Sequence, residues 1–250
     1  MQPSSSYRSA VITAGGTVDE PFARRIGTPY KALARVRGTA LIDRTISALR
    51  GGGIERIGVV APDEVADVCR KSVDFIVTAK EHGGANQWLA LNAFEFDTPF
   101  VYATCDMPYI DSNAVSWFVE RAGLREVSMA LTEFADFEKR FPKAPPFGIK
   151  LGGERVVNGG LFAVPAYASH MLEAIGITLF NARKNPLKMA RIAGPGILLR
   201  YLVGNLGVGD IEYRAKQLLT IPARALRNAP PELAYDVDVL EEYEYADTHA

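Results

Sequence analysis

Apolar residues along this chain fall into two kinds of segment. Short continuous runs at Ala10–Ala14, Ile57–Ala61, Phe75–Val77 and Phe100–Ala103 read as strands buried on both faces. Between them the spacing turns helical. Leu41, Ile42, Ile46 and Leu49 mark a helix over Leu41–Arg50 that stops at Gly51–Gly53. Glu64–Lys71 is a second helix, and Asn86–Phe94 a third, with Trp88, Leu89 and Leu91 for packing. Strands alternating with helices in this way imply right-handed crossovers and a mainly parallel sheet covered on both faces.

The second half continues less regularly. A helix over Asn113–Ala122, capped by Ser112, is followed by a strand at Val127–Leu131. The proline-rich stretch Phe141–Pro146 reads as part of a lid. Ile149–Leu151 and Arg155–Val157 form a hairpin about Gly152-Gly153. Ala168–Ile175 is a helix, and ARKNPLKMARIAG begins another with Pro186 in its first turn. Ile197–Val203 and Tyr213–Leu219 are apolar-periodic, Ala223–Leu226 is a strand, and the run Glu241, Glu242, Glu244 opens a terminal helix.

Composition narrows the functional classes. The 250 residues carry a net charge of −1, so nothing draws the whole chain to nucleic acid or to an anionic membrane, and any basic character is local. Cys69 and Cys105 lack metal-site spacing and read as reduced thiols. No apolar run reaches the ~18 residues of a membrane span and the first residues lack a signal-peptide core, which points to the cytoplasm.

Candidate chemistry lies first in Ala14–Leu33, the long polar loop after the first strand. Gly15 and Gly16 allow the backbone to approach a ligand closely, and Arg24, Arg25 and Lys31 supply fixed positive charge, a combination that suits a polyphosphate. Its position at the carboxyl edge of the sheet is where α/β folds place ligands. The spacing is that of neither a Walker loop nor a dinucleotide fingerprint. A second feature is Asp106, just past the fourth strand and followed by Met107-Pro108; with Ser112 as the helix cap it has no evident structural task and can hold Mg²⁺. Asp236 and Asp238, alternate residues of an extended segment, point the same way and repel unless a cation or donors lie between them. Asn158-Gly159-Gly160 is either a further close backbone approach or a plain turn. Arg183, Lys184, Lys188 and Arg191 place four cations within nine residues, a second anion site.

In this order the features resemble the MobA-like nucleotidyltransferases of the GT-A type. The glycine-rich opening ends in Arg24/Arg25 and Lys31-Ala32-Leu33, and Gly38-Thr39-Ala40-Leu41-Ile42 stands for the family's G-x-P-L-I. Asp106-Met107-Pro108 matches the metal aspartate, Asn158-Gly159-Gly160-Leu161-Phe162 the N-x-G-x-[FY] element, and Asp236-Val237-Asp238 the closing acidic motif. The glycine-rich loop is expanded relative to the family, and Val239-Leu240 replaces its Thr-Pro.

The resemblance implies an α/β, three-layer α/β/α sandwich with a mostly parallel, Rossmann-like sheet. It implies one domain whose nucleotide-binding half covers about residues 8–125 and whose acceptor-binding half covers about 126–250. The implied reaction moves an NMP group from a nucleoside triphosphate to a phosphorylated small-molecule acceptor, releasing pyrophosphate. Lys31, Arg24, Arg25 and Asp106 are its catalytic candidates. Ala14, Gly15, Gly16, Gly83, Gly84, Asn86 and Asp106 would meet the nucleotide, with Gln87 a further possibility beside Asn86. Asn158, Gly159, Lys184 and Lys188 would meet the acceptor, and Asp106, Asp236 and Asp238 the Mg²⁺. Neither nucleic acid nor a membrane is an expected partner, whereas self-association is common in the family. A GT-A glycosyltransferase using a nucleotide-sugar, or a non-catalytic nucleotide-binding protein on the same fold, remains an alternative.

Overall fold

The run that opens the sequence becomes β1 (Ser9–Thr13), buried along its first four residues. In the computed structural model, which describes residues 7–80, 86, 89–94, 98–145, 147–168, 172, 178, 182 and 185–249, β1 lies between β4 (Arg56–Ala61) and β6 (Phe100–Thr104), parallel to both. Ala10 and Ile12 enter one core cluster and Val11 another on the opposite face. A strand buried on both sides has no polar face to alternate, so its sequence is continuously apolar.

Two short strands, β2 (Arg35–Val36) and β3 (Thr39–Ala40), make a separate hairpin. The main sheet adds β5 (Phe75–Thr78), β7 (Val127–Glu133), β8 (Ile149–Leu151), β9 (Glu154–Val164) and β10 (Ala223–Leu226), in the order β10-β7-β9-β6-β1-β4-β5 with β8 on β9. Four pairings are parallel; only β9 runs against its neighbours β6, β7 and β8. This is the mostly parallel α/β sandwich that the alternation of segments predicts. The reversal of β9 matters for function, because it brings the start of that strand to the edge where β1 and β6 end.

The helices whose bounds the described residues fix are α1 (Glu20–Ile26), α2 (Leu41–Gly51), α3 (Asp63–Cys69), α4 (Ser112–Arg121), α5 (Phe134–Arg140), α6 (Pro186–Ala193), α7 (Pro195–Leu202), α8 (Val208–Leu219) and α9 (Leu240–His249). None of the described helices is long and apolar enough to cross a membrane.

Several expectations are corrected. The loop after β1 contains a helix, α1: Asp19 accepts from the Phe22 N–H at 3.2 Å, Pro21 sits in the first turn, and Gly27 at φ 75° ends it. With only Phe22 buried, it leaves no periodic signal. The cap of α4 is Asp111, which accepts from Ala114 N–H at 2.8 Å, not Ser112, which is the first helical residue. The proline-rich stretch is tied down at both ends, where Phe141 and Phe147 are buried against Tyr235. The predicted helix at Ala168–Ile175 lies mostly outside the described residues, as do Gly83, Gly84, Gln87, Trp88, Arg183 and Lys184.

Candidate active site

Lys31 stands beside Gly16 because the loop closes on itself. Its N–H donates to Gly16 O at 3.0 Å and Val18 N–H donates to Pro29 O, so α1 bulges outward between two adjoining ends. Fifteen positions of sequence thereby collapse into one contact, and a short 3₁₀ turn at Lys31–Leu33 follows. Among the described residues, the N–H groups of Gly15, Gly16 and Thr17 donate to nothing, which leaves a row of donors at the end of β1. Ala14 is buried and its N–H continues the sheet to Val60 O.

Asp106 follows β6. Beside it, the segment after Leu233 is held between layers: Tyr235 and Val237 are fully buried, and Val237 N–H donates to Asp106 O at 3.0 Å. Tyr235 is surrounded by Tyr109, Phe137, Phe141 and Phe147, so a rigid aromatic cluster fixes the carboxylate that comes next. Glu242, in the first turn of α9, accepts from both Asp238 N–H and Val239 N–H, at 2.6 and 3.0 Å. Sequence reading missed both devices, although a glutamate three residues past the cap is a recognisable capping signal.

The third wall is a bulge. Met129 pairs with Phe162 but Leu131 pairs with Asn158, so β9 carries two extra residues over that step. Gly159 and Gly160 allow this: a Cβ on Gly159 would lie 2.8 Å from Ala130 Cβ and 2.9 Å from Leu233 O, and one on Gly160 would lie 2.3 Å from Thr104 Oγ1. The glycines therefore serve a close approach inside a continuous strand rather than a turn before one, and the bulge turns exposed Asn158 toward the site.

These pieces line one cleft of ≈ 90 Å³, formed by Thr104, Asp106, Asn158, Gly159, Gly160, Phe162, Leu233, Ala234 and Asp236. Lys31 Nζ closes its charged side, 2.7 Å from Asp106 Oδ2 and 2.5 Å from Asp238 Oδ1. Burial works against a charged Lys31, but Asp106 and then Asp238 outweigh it and raise its pKa. Asp236 behaves in the opposite sense: burial first, then the charges of Asp106 and Asp238, push its carboxyl up to about 7. The other Asp106 oxygen, Oδ1, is buried with no hydrogen-bond partner, and so is Thr104 Oγ1. A buried carboxylate oxygen without a donor, in one cleft with a second carboxyl whose pKa is raised, suits a hard divalent cation. Among the described residues no group of three or more His, Cys, Asp and Glu is placed to hold a metal ion by itself, and Asp238, the exposed partner of Lys31, is one of the charges felt by Asp236.

The remaining candidates lie farther out. Arg24 pairs with Glu20 on the exposed side of α1, whereas Arg25 sits 3.8 Å from Asp247 and 5.7 Å over the Tyr243 ring. Neither lines the cleft. The Asn86 amide accepts from Lys80 N–H and donates to Lys80 O, which makes it a buried brace near Gly15 rather than a side chain open to a base. Lys188 is exposed on α6, and none of the described residues of that helix lines the cleft.

Comparison with known proteins agrees with this geometry. The family described as MobA-like NTP transferase domain matches residues 10–178. A solved structure of a hypothetical transferase from Thermus thermophilus is 26% identical, covers 95% of this chain and 99% of its own, and superposes with a TM-score of 0.83. A nucleotidyl transferase from Methanothermobacter shares the fold at 16% identity and TM-score 0.59, covering 96% of each chain. So does a CMP:2-keto-3-deoxy-manno-octonic acid synthetase solved with CTP, at 12% identity and TM-score 0.55, over 96% of this chain and 97% of that one. No curated protein matches the sequence.

Proposed function

The chain belongs to the MobA-like NTP transferase family, and we propose that it moves an NMP group from a nucleoside triphosphate to a phosphorylated small-molecule acceptor. One observation carries the reading: a buried ammonium, Lys31, meets Asp106 and Asp238 at the carboxyl edge of the sheet, beside a cleft walled by Asp236 and the Asn158 bulge.

In such a transfer the protein aligns two anions and balances the charge that grows on phosphorus oxygens and on the leaving pyrophosphate. Lys31 has three N–H donors; two go to Asp106 and Asp238, and the third is available to a triphosphate oxygen. The free N–H groups of Gly15, Gly16 and Thr17 take part in the same cradle. Asp106, through its unpartnered Oδ1, and Asp236 would hold Mg²⁺, with Asp238 in support. When bound, that ion supplies neutralisation of phosphate charge. Exposed Asn158, with Gly159 beside it in the cleft wall, would meet the acceptor. Arg24 and Arg25 would reach the triphosphate only by leaving Glu20 and α9 respectively, and Lys188 would serve an acceptor whose phosphate extends well beyond the cleft.

The test is pyrophosphate release with each of CTP, GTP, ATP and UTP in Mg²⁺ against a panel of sugar phosphates and other small phosphates. Acceptor-dependent pyrophosphate together with a nucleotidylated product by mass supports the proposal. Glycosyl transfer from a nucleotide-sugar, with no pyrophosphate from any triphosphate, overturns it.

A further inference from the structure

Helix α7 has the sequence PGILLRYL, yet none of its residues is buried. Of the twelve large apolar residues exposed among those described, seven lie between positions 198 and 213: Leu198, Leu199, Tyr201, Leu202, Val203, Ile211 and Tyr213, at 40–71% exposure. The other five are scattered singly, which is ordinary for a protein surface, whereas a contiguous patch marks an interaction site. The patch is not a loose end. Ile197 packs inward on the cluster of Leu131, Leu151, Val156, Leu206 and Val208, Arg200 pairs with Asp210 at 3.1 Å, and Arg214 donates to Ile192 O at 2.7 Å.

We propose that α7 and the neighbouring rim of α8 dock on the surface of an anionic lipid bilayer. Charge decides the occupant. Lys188, Arg191 and Lys216 flank the patch, are exposed, and form no ion pair among the described residues. The two acids of these three helices are already engaged, Asp210 by Arg200 and the Gly207 N–H, and Glu212 by the Ala225 N–H. The excess of positive charge is local, since the whole chain carries −1. A second copy would set the same cations against one another across a two-fold axis, whereas anionic headgroups receive the cations while the acyl boundary receives the leucines. The helix is too short to span, so it lies in the interface plane.

Flotation of the full chain with vesicles tests this. Binding to phosphatidylcholine vesicles containing phosphatidylglycerol should exceed binding to phosphatidylcholine alone by about tenfold or more and should fall as salt is raised. The double variant Leu199→Glu, Leu202→Glu, at exposed positions, should lose that binding with its unfolding temperature unchanged. No binding by the wild type, or binding indifferent to salt and lipid charge, overturns the proposal without recourse to any variant. So does a vesicle-independent dimer that the double variant dissociates, which would give the face to a second copy.

Discussion

Replacing Lys31 by methionine keeps the length of the side chain and removes its charge, and the consequence follows from the geometry around Asp106. The Lys31 and Asp106 side chains are only 14% and 15% exposed, with Nζ at 2.7 Å. At that distance and an effective dielectric of about 20 the attraction is about 6 kcal/mol, most of it offset by desolvating the two groups. Losing one partner is more severe than losing the pair, because Asp106 would keep no donor on either oxygen beside Asp236 and Asp238. Breaking a buried pair costs about 3–5 kcal/mol, and the exposure of Asp238 places this site at the lower end, about 3.

The penalty depends on pH. Lys31 lowers the Asp236 carboxyl, which burial and neighbouring charge already hold at about 7; without the ammonium it rises further, so the cost is absent where folded and unfolded states are both protonated and grows as pH climbs through the folded value. Urea unfolding in EDTA at about pH 5 and about pH 8 should show the wild type ahead by about 3 kcal/mol at the higher pH and by less than half of that at the lower. An equal gap at both values, or a methionine variant as stable as wild type at the higher pH, refutes the claim that Lys31 balances these carboxylates.

Three further outcomes are expected. Gly159→Ala forces a Cβ to within 2.9 Å of Leu233 O and should destabilise by about 1–3 kcal/mol, seen as a melting point lowered by several degrees; an unchanged melting point contradicts the close approach. Asp236, with its carboxyl raised to about 7, holds its proton more tightly folded than unfolded, so wild-type stability falls as pH climbs from about 4 to about 7. Asp236→Asn in EDTA should therefore melt higher than wild type above that window, by about 2 kcal/mol once water access to the half-buried group is allowed for, and no higher near pH 4. Arg24→Ala should leave stability within about 0.5 kcal/mol, while Arg25→Ala should lose about 0.5–1 kcal/mol with its ring and Asp247 contacts, as read by paired thermal melts.

The sheet was legible in the sequence because its central strands are buried on both faces and leave unbroken apolar runs. Asp106 was legible for a related reason: it stands just past the end of a strand, so its place follows from the fold, whereas Lys31 was legible as the last cation of the loop after β1. What stayed hidden depends on pairing across the chain. The bulge at Gly159–Gly160 is a mismatch of register between β9 and β7, and two glycines cannot distinguish it from a turn. Helices α1 and α5 each bury a single residue, too little to mark a period. The rigidity of Asp236 comes from aromatics at positions 109, 137, 141 and 147, far from it in sequence. The alternation that set Asp236 and Asp238 on one side could not foresee that Lys31 would take Asp238.

The most direct measurement is a thermal-shift comparison of wild type and Lys31→Met with CTP, GTP, ATP and UTP, with and without Mg²⁺. At about a hundredfold excess over its dissociation constant a bound triphosphate adds about 2.7 kcal/mol, roughly 5–10 °C for a chain of this size. The account predicts a Mg²⁺-dependent shift with at least one triphosphate in the wild type and its loss in the variant. A wild type that no triphosphate moves, but that nucleotide-sugars stabilise, would contradict it.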